Sequence, residues 1–331
     1  MTQMTNIKIL SLNWHVPFLS LLAKIPQTEF LILSARWNGR DWEKKYRDIP
    51  SNISHIAIDS QNCLKNINLQ DINLIILQSL GDIDYFGQLP QPKILVFHNS
   101  FQTETFGMSP EKAKQVYEQI KQKIQQYNIY PVFISKFKAE SWQMAGTIIP
   151  PGIDNTDFPY CYNGLEQSVL RVCSNFRGRD FMNGFQISEN IANQFNTITL
   201  GENNPQGRPN EKTGLANNFE EYKKILTSSR VFVSTNIDQY EDSYNLSSLE
   251  AGSIGMPIIS YNHKNNIWVD GMTGYVSDNL GFLQQRITEL MRDRELAVEL
   301  GKKASQLVQA NFPIGNFINH WVKVIQKVGG L

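Results

Sequence analysis

The chain has 331 residues, 31 basic and 31 acidic side chains, a formal net charge of zero, 41% hydrophobic residues and 19% charged ones. At about 150 residues per domain this length points to two domains, with apolar material enough for two cores. Dividing the charge at Pro150 gives 15 basic against 12 acidic residues before it and 16 against 19 after it, which excludes the concentrated basic face of a nucleic-acid binder.

Taken in chain order, residues 1–12 lack the basic start and long apolar run of a signal peptide. No stretch approaches the ~18 uninterrupted apolar residues of a membrane span. Short β-branched runs at 7–12, 29–35, 53–59, 73–79, 93–99 and 131–135 predict parallel strands covered on both faces. A helix is predicted over 109–127, with Ser109 as N-cap and Pro110 at its first position. After the run Thr147 to Asp154 comes a polar, aromatic linker to about Gln167. The pattern then restarts, with strands at 169–174, 197–201, 231–235 and 257–261, and helices at 219–228 and 246–253. Three helices, 280–292, 294–311 and 315–328, close the chain. Strand–helix alternation in two blocks predicts an α/β chain of two Rossmann-like, doubly wound parallel-sheet domains, 1–150 and 151–314. Such halves hold a ligand in the cleft between them, at the carboxyl ends of the strands. Cys63, Cys161 and Cys173 are odd in number and without metal-type spacing, as expected of a reducing compartment. A cytoplasmic location is therefore expected, with peripheral contact at the inner face of a membrane left open.

The most informative segment is 234–260. A strand ends near Thr235, a polar loop follows to Asn245, and a short helix runs from Leu246 to the stop at Gly255, before Pro257 opens the next strand. Backbone N–H groups at the helix start, Tyr244 to Ser247, offer a site for phosphate. Glu250 lies one turn in, where a carboxylate can accept hydrogen bonds from the two neighbouring hydroxyls of a ribose. Asp242 precedes it with seven residues between.

This segment resembles the C-terminal signature of the GT-B glycosyltransferases of the large retaining family 4: an acidic residue, seven residues, Glu250-Ala251, then Gly255-Met256-Pro257-Ile258. The run Asn266 to Val276 is similar to that family's following glycine turn. Lys93 to Asn99 resembles its strand ending in a histidine, and Gly146 to Asp154 resembles its interdomain passage. The resemblance implies a retaining transfer of a hexose-type sugar from a nucleotide-diphosphate sugar to a glycan, lipid or protein acceptor, without a metal or other cofactor. It implies that the last helix, about 315–331, crosses back onto the first domain.

By the same resemblance, His98 and Asp242 orient the sugar. Ser243, Tyr244, Asn245, Leu246 and Ser247 meet the diphosphate with Arg177 and Arg179, and Glu250 holds the ribose. The base is expected near Gly201 and Phe219. Three positions depart from the family pattern: Asp242 stands where glutamate is usual, Asn183 stands at the lysine position, and Leu12 to Phe18 replaces the glycine-rich first loop. There Trp14 and His15 either pack or line the acceptor side. These departures motivate an alternative, a glycosyltransferase-like partner subunit without transfer activity; a GT-B sugar-nucleotide epimerase is a further one. Asp82 and Asp84 form an Asp-x-Asp of the kind that holds a metal in another glycosyltransferase fold, but the two-sheet pattern argues against that role. Residues 39–47, with Trp37, Trp42 and Tyr46, read as a solvated segment or as an acceptor or membrane contact.

Overall fold

The computed structural model describes residues 6–35, 42–58 and 67–330. Cys63, Trp37 and residues 39–41 lie outside them. The chain divides into two compact units, Met1–Pro151 with Gly315–Leu331, and Gly152–Ile314.

Unit 1 runs β1 (Ile7–Leu12), α1 (Val16–Leu22), β2 (Thr28–Ala35), β3 (Ile53–Ile58), β4 (Leu74–Leu77), α2 (Asp82–Phe86), β5 (Lys93–Phe97), α3 (Phe101–Glu104), α4 (Pro110–Gln126), β6 (Ile129–Phe133), α5 (Lys136–Trp142) and β7 (Thr147–Ile148). Its seven strands are all parallel, in the order β3-β2-β1-β4-β5-β6-β7. The order reverses between β1 and β4, where Leu10 faces Leu31 on one side and Ile75 on the other. The central strand β4 buries every residue of its Leu-Ile-Ile-Leu run, because helices cover both faces of a parallel sheet. One such layer stacks Phe97 on Phe133 at 4.7 Å, with the Trp142 ring 4.9 Å from Phe97.

Unit 2 runs β8 (Glu166–Val172), α6 (Asp180–Asn183), α7 (Phe185–Ala192), β9 (Thr197–Leu200), β10 (Glu211–Gly214), α8 (Phe219–Ser228), β11 (Ser229–Ser234), α9 (Leu246–Ile254), β12 (Ile258–Tyr261), β13 (Gly274–Ser277), α10 (Leu280–Arg292) and α11 (Arg294–Asn311). Six parallel strands stand in the order β10-β9-β8-β11-β12-β13, reversing between β8 and β11. α12 (Ile314–Gly329) returns the chain to unit 1, where Phe317 and Trp321 meet the Phe18 ring at 5.9 and 6.5 Å.

α9 is buried on all sides from Ser248 to Ile254, which its small residues permit. Gly252 faces the Trp268 indole so closely that a Cβ there would lie 2.6 Å from the ring. The Ser253 hydroxyl donates to Phe158 O at 2.8 Å, so the helix buries no open hydroxyl at this point. Gly255 ends it in the left-handed region at φ 104°, a conformation that glycine adopts without a Cβ clash. Among the described residues no helix is long and apolar enough to cross a membrane.

Candidate functional site

In unit 2 the loops after β8 and β11 leave the sheet where the strand order reverses, the place where open α/β sheets bind ligands. They are tied together: Thr235 Oγ1 donates to Asn183 O at 2.7 Å and Ile237 N to Met182 O at 2.9 Å. Gly184 makes this approach possible. It sits at φ 62°, and a Cβ there would lie 2.2 Å from Thr235 O.

The first loop carries Arg177 and Arg179, both exposed. The Arg177 guanidinium lies 5.2 Å from the centre of the Phe185 ring. Arg179 reaches the Cys173 thiol, which burial pushes up to about 11 against the pull of Arg179 and Arg171, with Glu241 of the second loop pushing the same way as burial. Asn204 staples this loop to the end of β9: its Oδ1 accepts from Phe176 N at 2.9 Å and its Nδ2 donates to Cys173 O at 2.8 Å. Gly201 ends β9 at φ 145°, where a Cβ would lie 2.3 Å from Cys173 O, so only glycine lets the two strand ends meet.

The second loop differs from the sequence expectation. Asp242 is fully buried, and its Oδ1 accepts from Tyr244 N at 2.9 Å. A short aspartate side chain folds back onto the backbone two residues on, so it is not an open carboxylate, and the Tyr244 N–H is already used. Ser243 is also fully buried, 3.1 Å from His263 Nε2 and donating to Asn266 Oδ1 at 3.2 Å; it is no ligand-facing hydroxyl. The Tyr244 ring packs on Phe312 at 5.3 Å. Asn245 is the N-cap of α9: its Oδ1 accepts from Ser248 N at 2.9 Å and Ser247 Oγ at 3.2 Å. The N–H groups of Leu246 and Ser247, both half-buried, have no partner among the described residues. The anion site expected at the start of α9 therefore narrows to these two groups.

Glu250 is 3% exposed, and its Oε2 accepts from the Tyr222 hydroxyl at 2.7 Å. Nothing in the sequence pairs Tyr222 with Glu250; only the packing of α8 on α9 does. Phe219 is 8% exposed, its ring between Phe158 at 5.7 Å and Tyr222 at 6.3 Å. Its side chain is core material, which leaves only the backbone there to meet a ligand.

Unit 1 has its own cavity of about 380 Å³, at the carboxyl ends of β1, β4 and β5. Trp14, Gln78, Asp82, Tyr85, His98 and Glu104 are among its walls. His98 Nε2 lies 2.8 Å from Gln78 Oε1. Burial, then the charges of His15 and Lys138, hold this imidazole well below the usual histidine value. His15 caps α1, its Nδ1 accepting from Phe18 N at 3.1 Å, with its ring 6.1 Å from His98. Asp82 and Glu104 are pushed up by burial, although Asp82 accepts from Ser79 Oγ and the Gln78 and Ser79 N–H groups, and Glu104 from Asn99. Asp84 pairs with Lys123. Both aspartates of the Asp-x-Asp thus have protein partners. Among the described residues no group of three or more His, Cys, Asp or Glu is arranged to hold a metal. Gln78 and Glu104 escaped sequence reasoning; a polar residue ending the apolar 73–79 run was the one available signal.

No family model matches the chain, and no curated protein matches it. Among solved structures it is similar to HepE from Anabaena, determined in complex with UDP-glucose, at a TM-score of 0.72 and 12% identity over 97% of this chain and 100% of that one. It is similar to WaaG, a glycosyltransferase involved in lipopolysaccharide biosynthesis, at 0.65 and 12% over 98% and 100%. For TarM the values are 0.59 and 16% over 79% of this chain, which spans 56% of that protein's length. With two all-parallel α/β sheets and these neighbours, the chain has the GT-B fold.

Proposed function

We propose that the protein is a retaining glycosyltransferase that moves a hexose-type sugar from a nucleotide-diphosphate sugar to a glycan, lipid or protein acceptor. The observation that carries this reading is the meeting of two loops at the strand-order reversal of unit 2. One brings the exposed Arg177 and Arg179; the other opens into α9, with two unpartnered N–H groups and the Glu250 carboxyl one turn in. Guanidinium groups and helix N–H dipoles stabilise the charge that grows on a departing diphosphate, without calling on a metal. Glu250, oriented by Tyr222, takes the ribose hydroxyls. Asp242 acts through the loop whose turn it closes, and His98 contacts the sugar. HepE is known with UDP-glucose, which makes that donor the first to test. The free Cys161 and Cys173 fit a reducing compartment, and we assign the protein to the cytoplasm.

Calorimetric titration with UDP and turnover of UDP-glucose, followed by nucleotide release, test the assignment. Glu250→Ala and Arg177→Ala/Arg179→Ala are expected to weaken UDP binding at least about tenfold, the equivalent of one lost charge-assisted contact of ~1.5–3 kcal/mol. Asp242→Ala is expected to lower turnover more than affinity. Parental binding and turnover in all three variants would refute the site. The full burial of Asp242 and the Asn183 substitution favour a second reading, a sugar-nucleotide-binding partner subunit without transfer; it predicts UDP binding with no turnover on any donor and acceptor tried.

A further inference from the structure

The hydrogen bonds around His98 form a directed chain. Ser11 Oγ donates to Ile76 O at 2.6 Å, which uses the only proton that hydroxyl has. Towards Gln78 the same oxygen can therefore only accept, and Gln78 Nε2 lies 3.4 Å from it. With its amide nitrogen turned to Ser11, Gln78 presents Oε1 to His98, 2.8 Å from Nε2. A carbonyl oxygen accepts only, so Nε2 carries the proton. The other ring nitrogen, Nδ1, has no hydrogen-bond partner among the described residues. Ser11 and Gln78 are each 1% exposed, so water does not compete for these groups.

We propose that Gln78, aligned by Ser11, is a positioning residue that fixes His98 as its Nε2–H tautomer and so makes Nδ1 a hydrogen-bond acceptor for a hydroxyl group of a bound sugar. The step is a hydrogen bond from ligand O–H to Nδ1, with no bond broken. It rests on the glycosyltransferase reading for the identity of the ligand, but not for the tautomer. The charged and titratable groups about the imidazole are His15 at the start of α1, Lys138 on α5, and Asp82 and Glu104 in the same cavity. His15 and Lys138 oppose a positive charge on His98.

Long-range ¹⁵N–¹H spectra of the full chain labelled at histidine read the tautomer directly; His98→Gln identifies the resonances. The parent is expected to show His98 neutral and protonated at Nε2 through and below the usual histidine range. Gln78→Leu, which removes the acceptor, should lose the single tautomer. Gln78→Glu keeps an acceptor towards Nε2 and adds a charge, so the tautomer should persist while the titration midpoint moves up by about 1–3 pH units. UDP-glucose turnover should fall about tenfold or more in Gln78→Leu and return in Gln78→Glu above its new midpoint. A parent protonated at Nδ1, a parent charged at neutral pH, or a Gln78→Leu spectrum like the parent's would overturn the proposal. The expected spectra without turnover by the parent on any donor and acceptor tried would refute the glycosyltransferase reading and the sugar-hydroxyl role of Nδ1 with it, and leave the tautomer assignment standing.

Discussion

Glu250 and Tyr222 illustrate how the packing of two helices orients a side chain of the proposed site. A carboxyl group 3% exposed on a fully packed helix is held by a hydroxyl from α8, 9% exposed itself. Tyr222→Phe keeps the ring contacts with Phe219 and removes only the hydroxyl. Removing one hydrogen bond from a buried carboxyl group costs about 1–3 kcal/mol. The variant is expected to melt at lower temperature by that amount and to bind UDP more weakly, because Glu250 is no longer held in one orientation. Thermal unfolding and UDP titration on the same preparation check both halves; unchanged affinity would separate Glu250 from the ligand. At this scale the sequence was a partial guide. Glu250 stood out because an acidic residue, seven residues and Glu-Ala resemble the glycosyltransferase signature. The inward turn of Asp242 and the pairing of Ser243 with His263 were not, because they depend on which backbone groups the loop leaves unsatisfied.

α9 shows the same dependence for a whole element. Asn245 serves two ends at once: its side chain satisfies Ser248 N–H, and the helix start behind it offers the N–H groups of Leu246 and Ser247. Stability and binding therefore separate on substitution. Asn245→Ala loses the cap and about 1 kcal/mol. Asn245→Asp keeps the cap and adds a charge that the helix dipole favours, yet the same charge repels a diphosphate. Asn245→Asp is expected to melt at or above the parent while binding UDP several-fold more weakly, and chemical denaturation with a UDP titration reads the opposition. If α9 is not where phosphate rests, the two variants will bind alike. Elements with two covered faces were legible from apolar runs, as for β4 and β5. β10, Glu-Lys-Thr-Gly, was not: an edge strand needs no apolar run, and this one is held by its pairing with β9 and by Glu211 on the buried Arg171. β13 hid in what reads as a glycine turn because its four residues pair on one side only.

Acid sensitivity belongs to the whole molecule, because each unit carries a histidine held below its usual value. In unit 1 burial, His15 and Lys138 lower His98; in unit 2 burial lowers His263 although Asp238 and Asp242 pull it up. The unfolded chain takes up these protons near 6.5, the ordinary value, and the folded chain only at lower pH. The unfolded state therefore binds more protons below about 6.5, and stability present above that pH is lost as pH falls, by at most about 1.4 kcal/mol per pH unit for each group. Asp82 and Glu104 have the opposite sign, since their folded values are raised: they favour the folded chain as protons are added in the carboxylate range. Scanning calorimetry between pH 8 and 5 is expected to show a falling unfolding temperature that begins near 6.5. His98→Gln should flatten the fall for the transition of unit 1, and His263→Gln for that of unit 2. A profile that both substitutions leave unchanged would show that neither imidazole is carried neutral in the folded protein.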